Sequence, residues 1–278
     1  MKKWLLIFSA AVLFDSALSI WCLVPPRAIE AYFFDVGEGD SELVSLSGRV
    51  KILIDGGRGG SLLPEMGRAL GPLRKRIDLI ILTHCQLDHL GGLYETINRY
   101  EVGAFIYNGC DSALGEWQNI KNELAAHNIP VYKAKAGDAI RYGESEATIL
   151  SPGSSCSDLK NENERAITFL LKYKGTGFLF MSDAPPDLEK KVARLLTGPV
   201  SVLKVSHHGS RFSSVPEFLN KAKPLLSIIE VGKNNYGHPA ASTVNKLLEY
   251  GRVYRTDLSG TVKVILDDNK IRVLIDKS

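Results

Sequence analysis

Cysteine is scarce: four in 278 residues, at Cys22, Cys85, Cys110 and Cys156. They are too few and too scattered for a disulfide framework, and no closely spaced pair suggests a structural zinc ribbon. A Cys110–Cys156 bridge and buried free thiols are both compatible with this spacing. No charge dominates either, since Lys+Arg 34 against Asp+Glu 31 leaves +3. That balance neither argues for a nucleic-acid partner nor excludes a local basic groove. A helix-turn-helix pattern is missing, so no sequence-specific DNA reader is expected. Repeats and low-complexity runs are also absent. With 45% hydrophobic and 23% charged residues, the composition excludes collagen-like, disordered and coiled-coil classes. Beyond the N-terminus the chain lacks the apolar runs of a many-helix membrane channel.

The N-terminus is different. Lys2 and Lys3 precede an apolar stretch, Trp4 to Phe14, broken only by Ser9, and Ala17-Leu18-Ser19 offers small residues at signal-peptidase spacing. Asp15 would sit mid-bilayer in a Trp4–Val24 span, at a cost of about 2.5–3.5 kcal/mol. Residues 1–24 are therefore read as an export signal, with an uncleaved anchor as the alternative. Ile20 and Trp21 before Cys22 argue against lipidation. The expected location is extracytoplasmic, secreted or periplasmic, and membrane contact is expected only through this segment.

Residues 25–278 alternate short apolar runs with helical patterns and read as one α/β domain. Strands are expected at Ala31–Val36, Leu43–Leu46, Lys51–Ile54, Ile77–Leu82, Glu146–Leu150, Ile167–Tyr173, Phe178–Ser182, Ser201–Val205 and Leu225–Val231. Helical spacing occurs at Leu62–Leu73, Leu114–His127, Leu188–Leu196 and Thr243–Tyr250. Three more strands, Val253–Arg255, Val262–Leu266 and Ile271–Ile275, close the chain.

Five of the six histidines fall in three motifs. Thr83-His84-Cys85-Gln86-Leu87-Asp88-His89-Leu90-Gly91-Gly92 follows an apolar strand directly. Two imidazoles and a carboxylate so close together suit zinc, manganese or iron. Gly91-Gly92 would let the next helix start close to the site without a Cβ clash. Strand Phe178–Met181 ends in Ser182-Asp183, which taken alone reads more naturally as a helix start. Lys204-Val205-Ser206-His207-His208-Gly209-Ser210 again runs a strand into histidines, and neighbours on an extended segment point to opposite sides. Only one of His207 and His208 is thus expected to ligate. Asn234-Asn235-Tyr236-Gly237-His238-Pro239 is a polar loop, and a lone loop histidine is usually solvated.

Together with Val36-Gly37-Glu38-Gly39-Asp40-Ser41 and Ile54-Asp55-Gly56-Gly57, these motifs come in an order that resembles the metallo-β-lactamase fold superfamily. Within it the chain looks like the metallo-β-lactamase-like domain of ComEC-type competence proteins, the DNA-uptake channel family. The resemblance implies a four-layer αβ/βα sandwich with one or two divalent metals, Zn or Mn, at one edge between two sheets. It implies that His84, Asp88, His89, Asp183 and His207 are ligands. Asp55 would orient a ligand histidine from behind, and His208 would stand in a supporting place. His238 would face a bound phosphate across the cleft.

The chain departs from that family at Gln86, where a histidine or aspartate is common, and in the mid-chain Asn161–Arg165 stretch, where many hydrolases place another histidine. A neutral amide is a poor zinc ligand. One well-held metal, on Asp88, His89, Asp183 and His207, and one weak one, on His84, Asp183 and Gln86, are expected. The implied reaction is metal-activated hydrolysis of a phosphodiester, with single-stranded DNA the leading substrate. Asp88 or Asp183 would orient the nucleophile, His238 would protonate the leaving oxygen, and Lys204, Asn234 and Asn235 would offset phosphate charge. Lys204 and Arg211, which flank the His207 motif, are better placed for phosphate than Arg74-Lys75-Arg76. The competing expectation is a degenerate domain that binds nucleic acid or a metal without turnover. As a separate soluble domain the protein would not be the channel. Its oligomeric state is not written in the sequence.

Overall fold

The structure is a computed structural model describing residues 29–153, 156–159, 161–267 and 270–277. The expected export segment, residues 1–24, lies outside the described residues. Among them, no helix is long and apolar enough to cross a membrane.

Two sheets lie face to face. The first has eight strands in the spatial order Lys270–Ile275, Val262–Asp267, Ile29–Phe33, Glu42–Leu46, Val50–Ile54, Leu79–Leu82, Phe105–Tyr107 and Val131–Lys133. The second has seven, ordered Arg252–Arg255, Leu226–Ile229, Val202–Lys204, Thr176–Phe180, Thr168–Tyr173, Ser145–Ser151 and Ala139–Tyr142. A two-stranded ribbon pairs Arg76–Ile77 with Glu101–Val102.

The central strands are almost wholly buried because each sheet is covered on both faces, while edge strands such as Val131–Lys133 and Lys270–Ile275 stay largely exposed. Successive side chains alternate between those faces. Ile52 and Ile54 join the core between the sheets, while Leu53 faces outward beneath helices. The central layer includes Phe33, Val44, Phe169, Phe180 and Ile228, and the Phe169 and Phe180 rings stack at 4.6 Å. On the outer face of the first sheet, helices Leu62–Leu70, Leu93–Arg99 and Gly115–Ala126 bury Met66, Ile97 and Trp117. On the second sheet, Pro186–Leu195, Pro216–Ala222 and Ala241–Leu248 bury Val192, Phe218 and Leu247. Each such side chain contributes about 1.5–3 kcal/mol by leaving water. The result is the expected four-layer αβ/βα sandwich.

The sequence pattern underestimated the short elements. Strands Phe105–Tyr107 and Val131–Lys133 have three residues each, too few to show a period. Parallel pairing to their neighbours, rather than local pattern, makes them strands.

Candidate metal centre

Four strands deliver chemistry to one edge. Val50–Ile54 ends at Asp55 and its parallel neighbour Leu79–Leu82 at Thr83 and His84. Thr176–Phe180 runs into Ser182 and Asp183, and the parallel Val202–Lys204 into His207 and His208. Parallel strands bring their carboxyl ends together, which is where open α/β sheets carry sites. Asp88 and His89 come from the short helix Leu87–Leu90. The turns are sharp: Asp55, Ser182, His207 and His208 are non-glycine residues with φ of 53°, 47°, 50° and 50°. Such left-handed conformations are costly and persist where surrounding structure imposes them. Gly39, at φ 120°, packs so closely on the Asp88 carbonyl that a Cβ would strike it. Gly92 meets the Gly56 carbonyl in the same way, as the expected close approach of the next helix requires.

Donor atoms of Asp88, His89, Asp183 and His208 all lie within 4.8 Å of one another. Asp183 Oδ1 stands 3.5 Å from both His89 Nε2 and His208 Nε2, and Asp88 Oδ2 is 3.4 Å from His208 Nε2. His89 Nε2, His208 Nε2, Asp183 Oδ1 and the nearby His84 Nε2 are buried and have no hydrogen-bond partner. Buried polar atoms are rarely left so, because each costs about 1–3 kcal/mol. Nitrogen and carboxylate donors orphaned around one point fit a divalent cation.

Hydrogen bonding settles which ring nitrogens face that point. Asp55 Oδ2 accepts the Thr83 hydroxyl at 2.6 Å and lies 2.7 Å from His89 Nδ1, while its Oδ1 accepts the Thr83 amide. With its proton given to Asp55, the Thr83 oxygen accepts from the Ser182 hydroxyl at 2.8 Å and from His84 Nδ1 at 3.0 Å. His208 Nδ1 donates to the Glu230 carbonyl at 3.0 Å. Each of the three rings therefore spends Nδ1–H behind the site and presents the Nε2 lone pair to it.

The electrostatics carry the same demand for positive charge. Burial by itself would lower the His208 pKa, yet Asp183 and Asp40 outweigh it and raise it to about 10. His89 is likewise raised despite burial, by Asp183 and Asp55. Burial and the neighbouring His89 push His84 the other way, to about 3, which keeps it neutral. Burial would raise Asp183, but His208 and His89 hold it well below the usual carboxylate range.

The structure places the adjacent histidines the other way round from the expectation. His208 is buried in the four-donor group; His207 is about one-third exposed, with Nε2 3.7 Å from the other Asp183 oxygen. The alternation rule failed because both residues sit in a left-handed turn, not on an extended strand, and both line the cavity. His84 lies beside the group, its ring 4.1 Å from that of His89. Gln86 donates its amide to Asn163 Oδ1 at 2.7 Å, leaving only its amide oxygen for an ion. Asp55 stands behind His89 as expected.

Lys204, expected to meet phosphate, is withdrawn from the cavity surface. It is fully buried and ion-paired with Asp40. Burial would lower its pKa, but Asp40, Glu42 and Glu230 raise it. Glu42 is pushed up to about 8 by burial and by Asp40, so Asp40 is the counter-ion that Lys204 neutralises. Asn234 is also spent. Its amide donates to the carbonyls of Gly232 and His238, and its oxygen accepts from the amides of Tyr236 and His238. It shapes the loop that presents His238, and Asn235 is exposed on that loop. Sequence reasoning gave no role to Asp40, Thr83 or Ser182. All three lie in motifs quoted above, but nothing in the pattern singled them out.

A cavity of about 590 Å³ opens over the centre, with Asp88, Asp183, His207 and His208 on its floor and His238 on its wall. The Cys110–Cys156 disulfide joins the segments that bring Ser112 and Leu114, and Glu162 and Asn163, to the opposite wall. Cys85 is buried and free, and burial pushes its thiol up to about 12.

A family model described as the metallo-beta-lactamase superfamily matches residues 36–229. The chain is 27% identical over 254 residues to ComE operon protein 3 of Bacillus subtilis (strain 168), covering 84% of this chain and 32% of that protein. It is 25% identical over 261 residues to Competence protein ComA of Neisseria gonorrhoeae, covering 86% and 33%. The chain thus spans about a third of the length of these relatives. The metallo-beta-lactamase fold protein YhfI from Bacillus subtilis superposes with a TM-score of 0.56 at 10% identity, covering 84% of this chain and 99% of that one.

Proposed function

The chain belongs to the metallo-beta-lactamase superfamily, and from that premise we propose that it is an exported, metal-dependent phosphodiesterase acting on single-stranded DNA or a related phosphodiester. The observation that carries this reading is the set of buried, unpartnered donors on His89, His208 and Asp183, completed by Asp88 at the floor of an open cavity. The competence relatives support a nucleic-acid substrate and a place in DNA uptake. The Cys110–Cys156 bridge supports export, because disulfides persist in oxidising compartments.

Asp88, His89, Asp183 and His208 would hold one Zn²⁺ or Mn²⁺, and His84 with Asp183 and Gln86 would offer a poorer second place. When bound, the divalent ion supplies Lewis acidity, making water a nucleophile at neutral pH and offsetting charge on the attacked phosphate. Asp88, ionised and facing the cavity, orients the attacking water. His238, which lines the same cavity, would protonate the leaving oxygen. Burial and the neighbouring His207 and His208 lower its pKa, so its imidazolium is a stronger but scarcer acid.

One observation favours a second reading, a domain that binds without turnover: Gln86 stands where a better ligand is expected and its amide is engaged by Asn163. The experiment is to strip the chain from about Pro25 of metal and follow single-stranded DNA cleavage on adding Mn²⁺ or Zn²⁺, with Asp183→Asn in parallel. Metal-dependent cleavage lost in the mutant supports the phosphodiesterase. Metal binding without cleavage of DNA or of bis(p-nitrophenyl) phosphate favours the second reading.

A further inference from the structure

A second cavity, of about 370 Å³, adjoins the first. The two share His207 and Asn163, so they form one groove passing over the metal centre. Ala184, Pro185, Pro186 and Phe212 give the second cavity a mostly apolar surface, beside five polar lining residues that include His207 and Asn163. Its size falls in the range that holds small organic groups.

Phe212 is the unusual residue here. It is 65% exposed, although it sits on a tightly held turn. The Ser213 amide and hydroxyl both bond the Ser210 carbonyl, which also accepts from Thr243. Lys246 caps the carbonyls of Ser213 and Ser214. Buried Glu189 accepts the Ser214 and Val215 amides and also the hydroxyl of Ser206, the residue before His207. One carboxylate thus fixes the Phe212 turn and the histidine turn relative to each other. With the backbone of its turn fixed, Phe212 binds at reduced cost in conformational entropy, since only its side chain remains to be ordered. The exposed Arg211 guanidinium lies over the same ring, 5.2 Å from its centroid.

We infer that Phe212 and Arg211 form a nucleotide subsite beside the metal centre, in which a base of the strand stacks on Phe212 and the adjoining phosphate meets Arg211. This rests on the phosphodiesterase reading, and it assigns to the groove a specificity for nucleotide strands over simple phosphodiesters. An apolar slot, a presented aromatic face and a cation at its rim form the combination by which single strands are held without sequence preference. Continuity of the groove with the centre through His207 places this base next to the scissile bond.

The test uses a labelled thymidine oligonucleotide and its abasic counterpart, with binding read by anisotropy under chelator so that nothing is cleaved. Phe212→Ala should weaken oligonucleotide binding by about tenfold, Phe212→Trp should restore it, and abasic binding should not change. Mn²⁺ affinity, read by calorimetric titration, should be the same in Phe212→Ala as in wild type, because Phe212 is not among the metal donors. Wild-type affinity in Phe212→Ala, or an equal loss on the abasic strand, overturns the subsite. If that happens while wild type still cleaves DNA, the phosphodiesterase reading stands. A wild-type protein that cleaves neither DNA nor bis(p-nitrophenyl) phosphate but binds DNA through Phe212 keeps the subsite and removes the hydrolase. One that neither binds nor cleaves DNA removes both.

Discussion

Asp55 Oδ2 lies 2.7 Å from His89 Nδ1, with both side chains wholly buried. That contact fixes the ring's tautomer and aims Nε2 at Asp183. Partners of this kind are worth about 10–100-fold in metal affinity. Asp55→Asn is therefore expected to weaken Zn²⁺ or Mn²⁺ binding by about that factor, measured by calorimetric titration, while circular dichroism stays native. Unchanged affinity would mean that His89 is not a ligand.

The adjacent histidines are separable by the same titration. His208→Ala should abolish tight binding of one ion, because it removes a buried donor from the group of four. His207→Ala should keep most of the affinity and lose activity instead, since its ring lines the cavity. The opposite pattern would restore the assignment expected from the sequence.

Acid and base should act differently on the metal-free protein. His208 is raised from 6.5 to about 10, so the stability it contributes is complete below pH 6.5 and is lost as pH rises toward 10. His84 is lowered from 6.5 to about 3, so it costs stability as pH falls below 6.5. Thermal melts under chelator should therefore decline on the alkaline side above neutrality, and saturating Zn²⁺ should flatten that decline, because ligand histidines must be deprotonated to bind. A flat metal-free profile between pH 7 and 10 would contradict this.

Lys204 tests the structural pair. Lys204→Met leaves the Asp40 carboxylate buried without its counter-ion and should cost about 3–5 kcal/mol in urea unfolding. Lys204→Met with Asp40→Asn should recover much of that loss. If Lys204 were instead a phosphate contact, the single mutant would keep wild-type stability and raise only KM.

The disulfide closes a sequence separation of 46 residues. The Cys110→Ser, Cys156→Ser double mutant should lose about 2–5 kcal/mol. Because the bridge ties the cavity wall and not the metal ligands, metal affinity should remain while KM for the phosphodiester rises. Loss of metal affinity would show that the bridge supports the centre itself.

What the sequence determined by itself was the inventory and its order. Apolar runs ending at Asp55 and His84 announced strands that deliver side chains to one edge, because a strand's period and its stop are local properties, whereas Asp183 read alone as a helix start and became a ligand only through resemblance. Asp55 behind a ligand histidine was legible through resemblance, and so was the four-layer sandwich. Tertiary structure decided the rest, through contacts between residues far apart in the chain. Lys204 looked like a phosphate contact until the fold brought it to Asp40, 164 positions away. Asn234 read as a free donor until loop closure used both ends of its amide. The choice between His207 and His208 turned on a left-handed turn that alternation along a strand does not foresee. Identity and spacing are written residue by residue, whereas the direction a side chain faces depends on backbone angles set by what packs against it.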